Sequence, residues 1–80
     1  MEPELKELCD KLRAEIESTK KMVRSLMDHS DLQQGQSYPG QFSEMKANIM
    51  LSFRHLEDAR MRIGKVLQAQ SGGVSIYDKQ

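Results

Sequence analysis

The chain has no Trp, one Cys, two Pro, two His, two Phe and two Tyr in 80 residues, and its formal net charge is zero. A lone Cys9 excludes an intrachain disulfide and any Cys-based zinc site, and His29 and His55 stand too far apart in sequence to suggest a metal cluster. Twelve bases against twelve acids leave no long-range field to draw in a nucleic-acid polymer. No apolar run approaches the roughly 18 residues of a membrane span, and the acidic start lacks the basic-then-apolar order of a signal peptide. A cytoplasmic protein without a membrane partner is expected. There is also no Gly-rich phosphate loop, no nucleophile elbow and no His pair at metal spacing on a helix. The expectation is a protein that is not an enzyme and carries no cofactor and no metal.

What remains is helix. Residues 42–70 contain no Pro and only one Gly, Gly64, and Met45, Ile49, Phe53, Leu56, Ile63 and Leu67 recur at the 3-4 spacing that places side chains on one helix face. Residues 3–28 carry a second row, Leu5, Leu8, Leu12, Ile16, Val23 and Leu26, behind Pro3 in a first turn and Glu2 and Glu4 at the positive end of the helix dipole. Between them, residues 29–41 hold Ser, Asp, Gln and Gly and the Tyr38-Pro39-Gly40 turn signal, which reads as a connecting loop. Tyr38 either caps the core or lies over a ligand. Ser71-Gly72-Gly73 stops the second helix, and residues 74–77 alternate apolar and polar, as an extended tail would. The fold class expected is all-α: one domain over residues 1–80, an antiparallel two-helix hairpin with a short extended tail and the two apolar rows facing each other. Only 38% of the residues are apolar, too few for a sizeable private core, so assembly into a symmetric oligomer is expected as well.

Three features bear on binding. Arg54, Asp58, Met61 and Lys65 share one face of the second helix. Gly64 costs about 1 kcal/mol in a helix interior relative to Ala, which suits a place where a backbone or a ligand comes close, beside a face open to a second copy with Met50 and Met61. On the first helix Arg13, Lys20 and Arg24 are expected on the side away from the leucines, and Cys9 beside them as a buried thiol. Salt bridging with Glu17 accounts for these bases; convergence on an anion between two copies is the alternative.

The run Arg54-His55-Leu56-Glu57-Asp58-Ala59-Arg60-Met61-Arg62-Ile63-Gly64-Lys65, followed by Gly72-Gly73-Val74-Ser75-Ile76-Tyr77-Asp78, resembles the hairpin domain shared by phage anti-CBASS and anti-Thoeris sponge proteins. Leu8-Cys9-Asp10-Lys11-Leu12-Arg13 looks more loosely like part of that domain's first helix. The resemblance covers about the last half of the chain. It implies a hexamer of hairpins in the cytoplasm of an infected bacterial host, which binds cyclic dinucleotides, cyclic trinucleotides or cyclic ADP-ribose derivatives and sequesters these immune signals without cleaving them. By position it points to Arg13 and Arg54 as ligand-binding residues; Lys65, on the Arg54 face, and Tyr77, in the tail, complete the candidate ligand-binding set. The chain departs from members with an aromatic ahead of the first helix, so stacking on a base would fall to Tyr38, Phe42 or Tyr77. From another class of function comes a structural or adaptor hairpin whose seam and basic face bind a protein partner.

Overall fold

In a computed structural model, residues 4–33 and 39–72 are described. They form two α-helices, α1 (Leu5–Ser25) and α2 (Pro39–Gln70), with two short 3-10 turns between them at Leu26–Asp28 and Ser30–Leu32. Among the described residues there is no strand, and the architecture is the helical hairpin that the two apolar rows imply. Tyr38 and residues 73–80, with Val74, Ile76 and Tyr77, lie outside the described residues.

The helix ends follow local chemistry. Glu4 stands at the start of α1 with extended backbone, and its carbonyl accepts the first helical bond, from Leu8 N–H at 3.1 Å. Thr19 and Ser25 turn their hydroxyls back onto the Glu15 and Met22 carbonyls of the preceding turn, at 2.9 and 2.6 Å. The α-helix then tightens into the first 3-10 turn, so α1 proper stops at Ser25 rather than at residue 28.

The first part of the connection is built, not loose. His29, extended at φ −65° and ψ 144°, accepts the Asp31 N–H on its Nδ1 at 3.0 Å and so starts the second turn. Gln33 Nε2 donates back to the Met27 and His29 carbonyls at 3.1 and 3.4 Å, which satisfies groups that the end of a helix leaves open. The turn signal at Pro39-Gly40 also reads differently. Pro39 is the first residue of α2, where a missing N–H costs nothing and a fixed φ is already helical, so the helix begins three residues before Phe42.

At its far end α2 stops as its glycines suggest. Gly72 takes φ +79°, Ser71 N–H bonds the Leu67 carbonyl at 3.0 Å, and Gly72 N–H bonds the Ala69 carbonyl at 3.1 Å. With 32 residues, α2 runs about 48 Å at 1.5 Å per residue, close to the 51 Å long dimension of the molecule.

The helices pack antiparallel, and the register is legible in matched pairs: Arg13 faces Gly64, Glu17 faces Arg60, Lys20 faces Glu57, and Arg24 faces Phe53. On α2 the expected row holds its place, since Met45, Ile49, Phe53, Leu56 and Ile63 are partly covered and Leu67 is buried. On α1 it does not. The seam runs through Cys9, Arg13, Ile16, Lys20, Val23 and Met27, again at 3-4 spacing, and Leu5, Leu8, Leu12 and Leu26 are exposed at 39% to 50%. Only Ile16 and Val23 of the expected row belong to it.

The cause is the shape of the apolar arc. It is wider than one partner helix can cover, and α2 sits on the edge where charges from both helices meet. Cys9 and Leu67 are 3% exposed and Lys20 9%, and among the described residues no large side chain is completely enclosed. The intrachain core is thin.

Candidate functional site

The middle of the seam is a charge cluster. Lys20 Nζ donates to Glu17 Oε2 at 3.2 Å and lies 3.7 Å from Glu57 Oε2 on the other helix, while Arg60 Nε lies 3.5 Å from the same Glu17 oxygen. Phe53 forms one wall, with Lys20 Nζ 5.0 Å and the Arg24 guanidinium 5.7 Å from its ring centre, both within cation–π range. Hydrogen bonding from Lys20 is the largest effect and holds the Glu17 carboxyl below its ordinary range; desolvation opposes it, and the attraction of Lys20, Arg60 and Lys21 adds to the lowering. Lys20 and Arg24 therefore do not point away from the intrachain contact. Lys20 is its most buried charged residue, and its Phe53 contact explains why a polar side chain holds a seam position.

Two hollows follow from this packing toward the connection. One, of about 90 Å³, is lined by Arg24, Met27, Ile49, Met50 and Phe53. The other, of about 390 Å³ and open, lies on the other side of Ile49 between Leu26, Leu32, Met45 and the His29-Asp31 turn. The first holds a few waters at most; the second is a shallow apolar groove.

The candidate ligand residues are spread out. Arg13 crosses the seam, and its guanidinium carbon lies 3.8 Å from where a Cβ at Gly64 would stand. Gly64 thus belongs to the contact inside the chain and not to a face left for a second copy; what comes close to it is an arginine side chain. Arg54 and Lys65 are exposed on α2, eleven residues or about 16 Å apart on one face, with Met61 between them at 49% exposure. Asp58, on the same face, is taken by Arg62 at 3.0 Å, and among the described residues no ion pair or hydrogen bond engages Arg54 or Lys65. Tyr77 lies outside the described residues. Among the described residues, one hairpin therefore leaves Arg54 well apart from both Arg13 and Lys65.

Other chemistry is sparse. Cys9 is buried among seam residues, as a small apolar thiol would be, and His55 is exposed. Among the described residues no three His, Cys, Asp or Glu side chains form a group that could hold a metal ion, and no helix is long and apolar enough to cross a membrane. Comparison with protein families, with characterised proteins and with solved structures finds no match for this chain.

The residues that sequence reasoning missed are Lys20, Arg24 and Phe53 as one cluster. A signal for it existed: positions 9, 13, 16, 20, 23 and 27 repeat at helical spacing as regularly as the leucines do. Three of the six are polar or small, which hides the row from a hydrophobicity count.

Proposed function

We propose that the protein is a sponge: it assembles from several hairpins and holds a cyclic oligonucleotide or cyclic ADP-ribose signal between copies, without cleaving it, as a phage anti-defence protein does. The observation that carries this reading is the pair Arg54 and Lys65, exposed on one face of α2 and engaged by no partner among the described residues. A chain with no net charge offers no general attraction for phosphate, so affinity has to come from a few converging bases. Among the described residues, neither hollow of a single hairpin encloses a ligand of this kind. Pockets for ligands of this size are about 300–1,000 Å³ and enclosed, whereas the hollows here are small or open and mostly apolar. A second copy would supply both the missing wall and a second pair of bases. The resemblance of residues 54–65 and 72–78 to the sponge hairpin points the same way.

Native mass spectrometry with a panel of cyclic di- and trinucleotides and cyclic ADP-ribose derivatives reports assembly and ligand count together. Recovery of the ligand after denaturing the protein then separates retention from cleavage. Intact ligand released from an oligomer is the expected result; linear product would make the protein a phosphodiesterase, and no uptake of any member would end the sponge reading.

One observation favours a second reading, the adaptor hairpin. Leu5, Leu8 and Leu12 form an exposed apolar row on α1, a surface suited to a helix from another protein. A protein that stays monomeric and takes up no cyclic nucleotide would favour it.

A further inference from the structure

We infer that Phe53 and the hollow beside it, with Arg24 and Arg54, form a seat for one small organic phosphate on a single hairpin. The phosphate is held by the two guanidinium groups, and a flat apolar ring lies across the mouth of the hollow. The inference rests on the reading above only for the natural ligand, and it adds Arg24 and Phe53 to the residues that would meet a nucleotide.

Two rows define the place. On α1, Glu17, Lys21 and Arg24 follow a 4-3 spacing, and on α2 Met50, Arg54 and Glu57 do the same, so each row lies along one edge of its helix. Glu17 meets Arg60 and Glu57 meets Lys20 across the seam, which puts both rows on the same side of the hairpin.

The charge on that side is uneven. Residues 17–24 and 53–60 carry five Lys and Arg against three Asp and Glu, in a chain whose net charge is zero. Glu17 is engaged by Lys20 and Arg60, Glu57 by Lys20, and Asp58 by Arg62. Lys21, Arg24 and Arg54 are left over: among the described residues no hydrogen bond or ion pair engages them. Asp28 stands four residues beyond Arg24, where a continuous α-helix would pair the two. The helix tightens after Ser25 instead, and the Arg24 guanidinium lies against Phe53, 5.7 Å from the ring centre.

The hollow supplies the apolar half of the recognition. Met27, Ile49 and Met50 complete its lining, so Arg24 is its one charged wall. At about 90 Å³ it is smaller than the roughly 150 Å³ that takes up benzene whole, and a ring therefore rests with one edge in it. Phe53 offers that ring an aromatic partner, and the Met27 and Met50 thioethers are polarisable neighbours that suit a ring edge. Met50, 48% exposed, stands at the open rim. Two planar guanidinium forks beside this rim match the oxygens of a phosphate better than point charges would.

The test is an NMR titration of the full isotope-labelled chain with phenyl phosphate, the smallest probe that carries both parts, beside inorganic phosphate and phenol. Phenyl phosphate should shift the amides of residues 20–27 and 49–57 and saturate at roughly millimolar concentration, and the two half-probes should each bind at least about tenfold more weakly. No saturable shift, shifts confined to other residues, or a half-probe that binds as well as the whole would overturn the inference.

Arg24→Gln should weaken phenyl phosphate at least about tenfold with helix content unchanged by circular dichroism. If that variant unfolds, Met50→Glu decides in the same way, because it sets an acid at the rim without touching the seam charges. Either variant folded and binding like the unaltered chain would sink the proposal. Lys11→Ala, at an exposed position of α1 away from this edge, should bind phenyl phosphate normally; an equal loss there would mean diffuse attraction and reject a built seat. A chain that binds phenyl phosphate at this edge yet retains no cyclic nucleotide upholds the seat and removes the sponge reading. Cyclic nucleotide retained equally well after Arg24→Gln does the reverse, so the two fail separately.

Discussion

The two edges of α1 have the opposite of their expected fates. One edge carries Arg13, Glu17 and Lys20 and is covered by α2; the other carries Leu5, Leu8, Leu12 and Leu26 and is exposed. Burial alone would have chosen the leucines, at about 25 cal/mol for each Å² of apolar surface removed from water. The charged edge is instead closed by paired contacts that fix one register: Lys20 with Glu57, Glu17 with Arg60, and Arg24 with Phe53. Such pairs contribute little each, from about 0 to 1 kcal/mol where they are half exposed, but a slip by one helical turn breaks all of them together. In this hairpin the charges select the intrachain partner, and the greasiest surface is left over.

The largest effect should come from outside the seam. If Arg54 contacts a phosphate, Arg54→Ala should weaken uptake of a cyclic nucleotide by roughly ten- to a hundredfold, since a hydrogen bond to a charged group contributes about 1.5–3 kcal/mol. Helix content should not change, because Arg54 is exposed and holds no intrachain partner among the described residues. Titration calorimetry against the ligand that the native protein retains checks this, and equal affinity in the variant would return Arg54 to the solvated surface.

Within the seam, Lys20 sharpens the contrast between charge and packing. Lys20→Ala leaves Glu57 without its cation and Glu17 with Arg60 alone, and strips a cation from the Phe53 ring, so it should cost about 1–2 kcal/mol in urea unfolding. Lys20→Met keeps the stem and removes the charge; it should restore at least half of that loss, since a well-packed apolar isostere often replaces a buried ion pair with little penalty. If Met is as damaging as Ala, the pairing matters more than the packing, and the seam depends on its charges for stability as well as for register.

How far these edges could be read in the sequence depends on the residues involved. On α2 the row from Met45 to Leu67 is apolar throughout apart from the Arg60 position, and its periodicity located the covered face correctly. Gly72 likewise ended the helix where a left-handed residue was expected. On α1 the apolar arc spans two edges, and nothing in a single sequence says which edge α2 will take; that choice lies in pairs such as Lys20 and Glu57, 37 positions apart. Pro39 was ambiguous for a different reason, because Pro serves both turns and first helical turns. The candidate ligand residues illustrate the same limit. Arg54 and Lys65 could be placed on one face from their spacing, but the position of Arg13 across the seam from Gly64 required the register.

A smaller effect, of opposite sign, concerns Gly64. A Cβ there would stand 3.8 Å from the Arg13 guanidinium carbon and 3.9 Å from its Nε, both ordinary contact distances. Gly64→Ala should therefore stabilise the protein by about 0.5–1 kcal/mol through helix propensity and a less flexible unfolded chain. Urea unfolding decides between this and a requirement for bare backbone: a destabilised Ala variant would mean that something other than Arg13 occupies that space in the assembled protein.

The smallest effect is electrostatic and lies at acid pH. Glu17 accepts a hydrogen bond from Lys20 and sits near Arg60, which together hold its folded-state pKa below the ordinary value of 4.5. A carboxylate whose pKa is lowered by folding binds fewer protons in the native state than in the unfolded chain, so stability rises with pH through that window. The contribution is fully present above the ordinary value and disappears as pH falls through the lowered one. Glu17→Gln removes this titration while keeping the side-chain length. The unaltered protein should be the more stable of the two near neutrality, and the gap in urea midpoint should close as pH is lowered from about 6 to about 3. Because Glu17 is 40% exposed at its side chain, solvent and salt screen the pair, and the gap should also shrink in roughly 1 M salt. A gap that stays constant across this pH range would mean that Glu17 acts through shape and hydrogen bonding alone, and that the charged edge of α1 is held without its charge.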